Sequence, residues 1–262
     1  MATVNKKIEK GNLAVKPRSD NNSNKINKSV KISGKHLFFD AGPIITLILS
    51  RLWWILPELK KQYGGSFYIT PAVKFELIDR PLNIERFEFE ALQVSKLIKD
   101  GTLEVYEDVP EKDVSKLINL ANNSFKIKNR PFDIIQEGEI QSVATALKTG
   151  AEAVVMDERT LRLFIEDNRN LKRLLEKRFR TKVESQEKLM DEFSNLLKEV
   201  KIIRSVELVT VAYKLGLLDS YLLTDSKDSK RRLLEAVLWN TKFNGAAVTE
   251  HEVQEIINTI MP

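Results

Sequence analysis

Short apolar runs that end on an acid or a turn, each followed by residues with helical spacing, recur along the chain, and this alternation limits the fold more than any other feature. His36-Leu-Phe-Phe-Asp40 is the first run, and residues 66–70, 103–106, 153–156 and 202–203 repeat the pattern. Between and after them, residues 44–59, a stretch opened by Pro71, and residues 91–98, 114–121, 137–147, 206–215 and 233–239 carry apolar side chains at helical intervals. Ala41-Gly42-Pro43 reads as a turn, residues 122–131 as a polar loop, and Thr249 with Glu252 as a capping box opening a last helix. Strands alternating with helices favour a parallel sheet covered on both faces. The expected class is therefore α/β, a three-layer α/β/α fold on a central parallel sheet of about five strands.

Two segments depart from that pattern. Residues 162–201 place Leu171, Leu175, Phe179, Met190, Phe193, Leu197 and Val200 at helical spacing on a strongly charged background. They read as one long helix or a helical hairpin, an insertion projecting from the domain. Residues 1–34 are rich in Asn, Lys and Ser with scattered apolar residues, a composition that cannot offset the entropy of ordering, and read as a disordered basic tail. Residues 35–262 then form one domain. The charge follows the same division: residues 1–35 hold nine basic and two acidic residues, leaving 33 basic and 35 acidic in the rest. A basic arm of this kind is either a solubilising leader or an electrostatic attractor of nucleic acid.

Composition narrows the chemistry. The chain has no cysteine, which removes disulfides, thiolate catalysis and cysteine–zinc sites, and its two histidines, His36 and His251, are far apart in sequence. The apolar residues 44–49 and 52–56 are separated by Ser50 and Arg51 and are too short to span a bilayer. The lysine-bearing N-terminus lacks the apolar stretch of a secretion signal, so a cytoplasmic protein is expected. Any catalysis must rest on carboxylates, hydroxyls, lysines or arginines.

In sheets of this kind functional groups gather at the carboxyl ends of the strands. Asp40 and Asp157 directly follow apolar strands and fall on that edge. Each has a structural alternative, since Asp is a favoured helix cap. Glu76, on the helix after the second strand, has Asp79 as a nearby rival; Glu139, like Glu137, could simply answer a helix dipole.

Three stretches, FFDAGPIITL, YITPAVKFEL and GEIQSVATALKTGAEAVVMDERTLR, taken in order, resemble the PIN-domain family of nucleases. The part from Ile203 to about Ile257 also looks like the end of archaeal and bacterial members. The likeness covers residues 36–160 and 202–257, leaving the tail and the charged segment outside. It implies a metal-dependent endoribonuclease that binds Mg²⁺ or Mn²⁺ in an acidic pocket and hydrolyses RNA phosphodiester bonds. The family's acids fall on Asp40, Glu76 and Glu139, and its fourth on Asp157 or Glu158, with Asp157 preferred because it directly follows the strand. Converging carboxylates repel unless a cation neutralises them, and Mg²⁺ takes oxygen ligands, so the composition suits this chemistry.

Softer features complete the reading. Lys172, Arg173, Lys177, Arg178, Arg180 and Lys182 crowd eleven residues with only Glu176 opposing, either as a solvated face or as phosphate contacts for RNA. Trp53 and Trp54 suit a core as well as base stacking, and Ser205 occupies a place where the family often has Ser or Thr. A protein partner or homo-oligomer through the helical insertion is a further expectation. The alternatives are a PIN-like module that binds RNA or protein without cutting, and a nucleotide-binding α/β protein. The latter lacks both the Gly-x-x-x-x-Gly-Lys-Ser/Thr and Gly-x-Gly-x-x-Gly turns. A toxin role belongs within the nuclease class, but the tail and insertion favour a specialised or housekeeping one.

Overall fold

The structure, a computed structural model, describes residues 34–261; residues 1–33 and residue 262, and with them all of the expected basic tail except Gly34, lie outside the described residues. β1 (His36–Phe39) is buried throughout and runs into Asp40. Helix α1 (Ala41–Leu49) starts at once, with Asp40 as its N-cap accepting from the Gly42 N–H. The expected Ala41-Gly42-Pro43 turn is thus the first turn of a helix, where Pro43 loses nothing because first-turn N–H groups have no helical partner. The expected helix 44–59 is two helices: α1 ends at Ser50, Arg51 takes a left-handed φ of 59°, and α2 (Ile55–Tyr63) begins anew.

β2 (Ser66–Ile69) leads to α3 (Pro71–Lys74), capped by the Thr70 hydroxyl, and then to a π-helical turn, Phe75–Asp79, that carries Glu76. α4 (Glu88–Lys99), β3 (Glu104–Val105) and α5 (Glu111–Ser124) follow. The expected polar loop to Pro131 is a hairpin of β4 (Phe125–Ile127) and β5 (Arg130–Pro131). Its turn places Lys128 and Asn129 at φ 51° and 62°, the left-handed pair of a tight hairpin, without the glycine that usually announces one. The order continues with α6 (Glu137–Thr149), β6 (Ala153–Val155), α7 (Arg159–Glu166), α8 (Asn168–Phe179), β7 (Glu184–Ser185) and α9 (Glu187–Leu197). β8 (Ile202–Ile203), α10 (Ser205–Lys214), α11 (Lys227–Phe243) and α12 (Glu250–Ile260) complete it, α12 opened by the expected Thr249–Glu252 capping box.

Five strands form one parallel sheet in the order β3-β2-β1-β6-β8, as the alternation predicts. Because side chains alternate faces along a strand, Leu37, Phe39, Phe67, Ala153 and Val155 enter one core with α1, α2, α4 and α10. Phe38, Val154 and Met156 enter a second with α5 and α6. Two covered faces make three layers.

The segment 162–201 does not project. Leu161, Phe164, Leu171, Leu175, Met190, Phe193 and Leu197 are buried in the second core, and the Phe164 and Phe193 rings stack with centroids 4.1 Å apart. β7 pairs with β4, tying α8 and α9 to the hairpin. The surface charges concealed this, because a stripe on a charged helix does not say what it packs against. The stripe expected to meet a partner is also largely occupied: Leu171 and Leu175 are buried within the chain, while Phe179 is partly exposed beside Phe132. Among the described residues no helix is long and apolar enough to cross a membrane.

Candidate active site at the carboxyl edge of the sheet

Parallel pairing brings the two strand-end acids together. Phe39 is in register with Val155, and the Asp40 N–H donates to the Val155 carbonyl at 2.9 Å, so Asp40 and Asp157 leave neighbouring strands at the same edge. Gly42 lies between them: a Cβ there would stand 3.4 Å from Asp40 Oδ2 and 3.6 Å from Asp157 Cβ. β8 delivers Ser205 to the same edge as the first residue of α10. Its N–H and hydroxyl donate to Asp157 Oδ1 at 2.9 and 3.0 Å, and the Thr46 hydroxyl of α1 donates to Oδ2 at 3.0 Å.

The other two acids arrive on helices. Glu139 sits in the first turn of α6, where its Oε2 accepts from the Gln136 N–H at 3.1 Å. Glu76 reaches the start of that helix from the π-helical turn; a Cβ on Gly138 would lie 3.6 Å from Glu76 Oε2. Gln141 fixes the approach by accepting from the Ala72 N–H at 3.2 Å. The rival Asp79 is exposed, as is Glu137, which accepts from Gln141.

The electrostatics reflect this gathering. Asp40 is buried, and desolvation pushes its carboxyl up to about 7 against the Gly42 N–H, with Glu76 and Asp157 adding repulsion. Burial pushes Glu139 up to about 8, reinforced by Glu158, Asp40 and Glu76. Burial also raises Asp157, against the donors from Ser205 and Thr46, and raises Glu76, where Arg80 opposes the shift. At Asp40, Glu139 and Asp157 the charged neighbours that act are carboxylates.

Geometry separates the two candidates for the fourth acid. Glu158 turns to cap α7, its oxygens taking the Leu161 N–H and the Thr160 hydroxyl, each at 2.8 Å. Asp157 is buried and held between α1 and α10. The capping role open to Asp157 in the sequence thus falls to its neighbour. Glu158 nevertheless remains close enough to raise Glu139. Thr46 was missed by sequence reading; its only signal is a single hydroxyl in the apolar run of the helix that Asp40 caps.

The acids are neighbours without being a closed cage. Among the described residues no three Asp, Glu, His or Cys side chains stand together in an arrangement that could already hold a metal ion. Asp40, Glu139 and Asp157 each accept from a backbone N–H at a helix start, which partly offsets the cost of burying them. The donor set itself suits a hard divalent cation, since it is all oxygen and poor in countercharge.

The remaining candidates lie elsewhere. Lys172, Arg173, Lys177 and Arg178 are on α8, and Arg180 caps its end with a left-handed φ of 51°. Lys172 donates to Ser185, Arg173 to Asn170, and the Arg178 guanidinium lies 5.8 Å from the Phe179 ring centroid. Trp53 and Trp54 lie in the turn between α1 and α2, half-buried against the first core. His36 is buried at the opposite end of β1, held by Thr149 and the Gly34 carbonyl. A cavity of about 910 Å³ is walled by Leu59, Phe67, Ile203 and Leu208 and includes none of the four acids. A second, of about 320 Å³, includes Glu76. No family model, curated protein or solved structure matches the chain.

Proposed function

We propose that the chain is a PIN-like, metal-dependent endoribonuclease. The observation carrying this reading is that Asp40, Glu76, Glu139 and Asp157, from four separate elements, are close enough at one sheet edge to perturb one another, with burial raising all four. A protein gains nothing in stability from such a cluster, so a ligand that needs it is the simplest explanation. The four carboxylates would hold Mg²⁺ or Mn²⁺. Such an ion, when bound, supplies an activated water and stabilises charge developing on the phosphate. Ser205 and Thr46 hold the Asp157 carboxylate in one orientation, and the helix-start N–H groups do the same for Asp40 and Glu139. Binding the ion requires Asp40 and Glu139 to be deprotonated, so activity rises with pH through the neutral range. RNA is the substrate class this reading assigns, with the basic tail and the α8 cations as its attractors.

One observation favours a second reading, a PIN-like module that binds without cutting: the acids are not pre-gathered in a metal-holding arrangement. Incubation of purified protein with end-labelled RNA in Mn²⁺, Mg²⁺ or chelator separates the two. Metal-dependent cleavage abolished by Asp40→Asn supports the nuclease; RNA binding with no cleavage in either metal supports the module.

A further inference from the structure

The pocket of about 320 Å³ that shares Glu76 with the carboxylate cluster is walled by Ile45, Leu49, Leu77, Ile84, Phe87 and Val94. Three features distinguish it from an ordinary gap in packing. Ile45, Leu49, Ile84 and Phe87 remain substantially exposed although they line it, so the apolar wall faces outward. Arg80 and Glu90 are set into that wall, and one oxygen of Glu90, Oε2, is buried with no hydrogen-bond partner. An acceptor oxygen buried without a partner is costly, and a ligand that brings a donor removes the cost. The Phe87 ring lines the pocket and stays partly exposed, and an exposed aromatic ring is a surface on which a planar base stacks.

We propose that this pocket is a nucleobase subsite for single-stranded RNA and that Glu90 makes it prefer guanine. The inference rests on the nuclease reading for its use of Glu76, while the recognition chemistry stands on the pocket alone. A base is a flat apolar body with polar edges, and the pocket has apolar walls with polar groups at defined points. Its volume suits one base and is too small for the face of a partner helix. A carboxylate is an acceptor only, so it selects a base edge made of donors. Guanine alone among the four RNA bases presents two adjacent donors, N1–H and the N2 amino group, to one carboxylate. Arg80, which acts on Glu76, supplies a cation for the attached phosphate. A base seated here leads its phosphate toward the acidic edge through their shared residue, Glu76.

The test measures binding apart from cleavage. Short fluorescent oligoribonucleotides containing a single guanine, inosine, adenine or cytosine in a uridine background are titrated against the full chain in chelator, by anisotropy. Guanine should bind about tenfold or more tightly than adenine, the discrimination expected of a bidentate edge contact. Inosine, which lacks the N2 amino group, should fall between them. Glu90→Gln should erase the guanine preference, and Phe87→Ala, at an exposed position that should not disturb folding, should weaken every oligonucleotide. Equal affinity for all four by the wild type, or an unchanged preference in Glu90→Gln, overturns the proposal. So does a concentration-dependent dimer that Phe87→Ala dissolves, since the wall would then be an interface between copies. Guanine-dependent binding without cleavage in Mn²⁺ would leave the subsite standing and remove the nuclease reading. Cleavage without base preference would do the reverse.

Discussion

Asp40→Asn should make the metal-free protein more stable while removing its activity. In the folded state burial holds the Asp40 carboxyl at about 7, against 3.8 for an unburied Asp. Folding therefore retains a proton that the unfolded chain releases between about pH 4 and pH 7. Stability of the metal-free protein falls as pH rises through that window and levels off above it. The difference between 3.8 and about 7 corresponds to about 4 kcal/mol at most. Local relaxation and water penetration lower the penalty of a buried charge, so roughly half of that, about 2 kcal/mol, is the expected gain from removing it. Asn caps a helix as well as Asp, so the bond from the Gly42 N–H survives the change. For a domain of this size about 2 kcal/mol raises Tm by about 4–8 °C. Thermal unfolding in EDTA should show Asp40→Asn gaining roughly a third of the increment at pH 5 and the full increment at pH 8. Saturating Mn²⁺ at pH 8 should stabilise the wild type and leave the variant nearly unmoved. A variant less stable than the wild type at pH 8, or a gain independent of pH, would refute burial of the charge as the source of the shift.

Ser205→Ala removes the hydroxyl donor to the buried Asp157 and should cost about 1.5–3 kcal/mol in urea unfolding at pH 8. Phe193→Ala should cost about 3–5 kcal/mol, as a core residue stacked on Phe164 does, whereas a projecting arm would lose almost nothing. Deleting residues 1–34 should weaken RNA binding and flatten its salt dependence by about 0.7 in log–log slope for each phosphate left without its cation, with the rate at saturating RNA unchanged. Charge reversal at Arg173, Arg178 and Arg180 should act in the same direction independently. Wild-type affinity and salt slope in both variants would assign the two segments to solvation.

The alternation of apolar strands with amphipathic helices was sufficient to establish the class, the five parallel strands and the edge on which Asp40 and Asp157 fall. That much is legible because side-chain period is local, and burial on both faces forces a run such as Leu37-Phe38-Phe39 to be apolar throughout. The capping box at Thr249 was legible for the same reason, its partners being three residues apart. Four features depended on the fold. Arg51 and the Lys128-Asn129 turn adopt left-handed conformations without glycine, which neighbouring packing and pairing impose and composition does not announce. The 162–201 segment is core because the second face of the sheet and α5 need covering, a demand made by residues distant in sequence. Asp157 and Glu158 are adjacent acids; strand position favours Asp157, and the fold parts their roles when Thr46 and Ser205, 111 and 48 residues away, present hydroxyls to Asp157. The raised carboxyl of Asp40 likewise belongs to no residue pattern: it follows from desolvation and from like charges that meet only when four elements close around one edge.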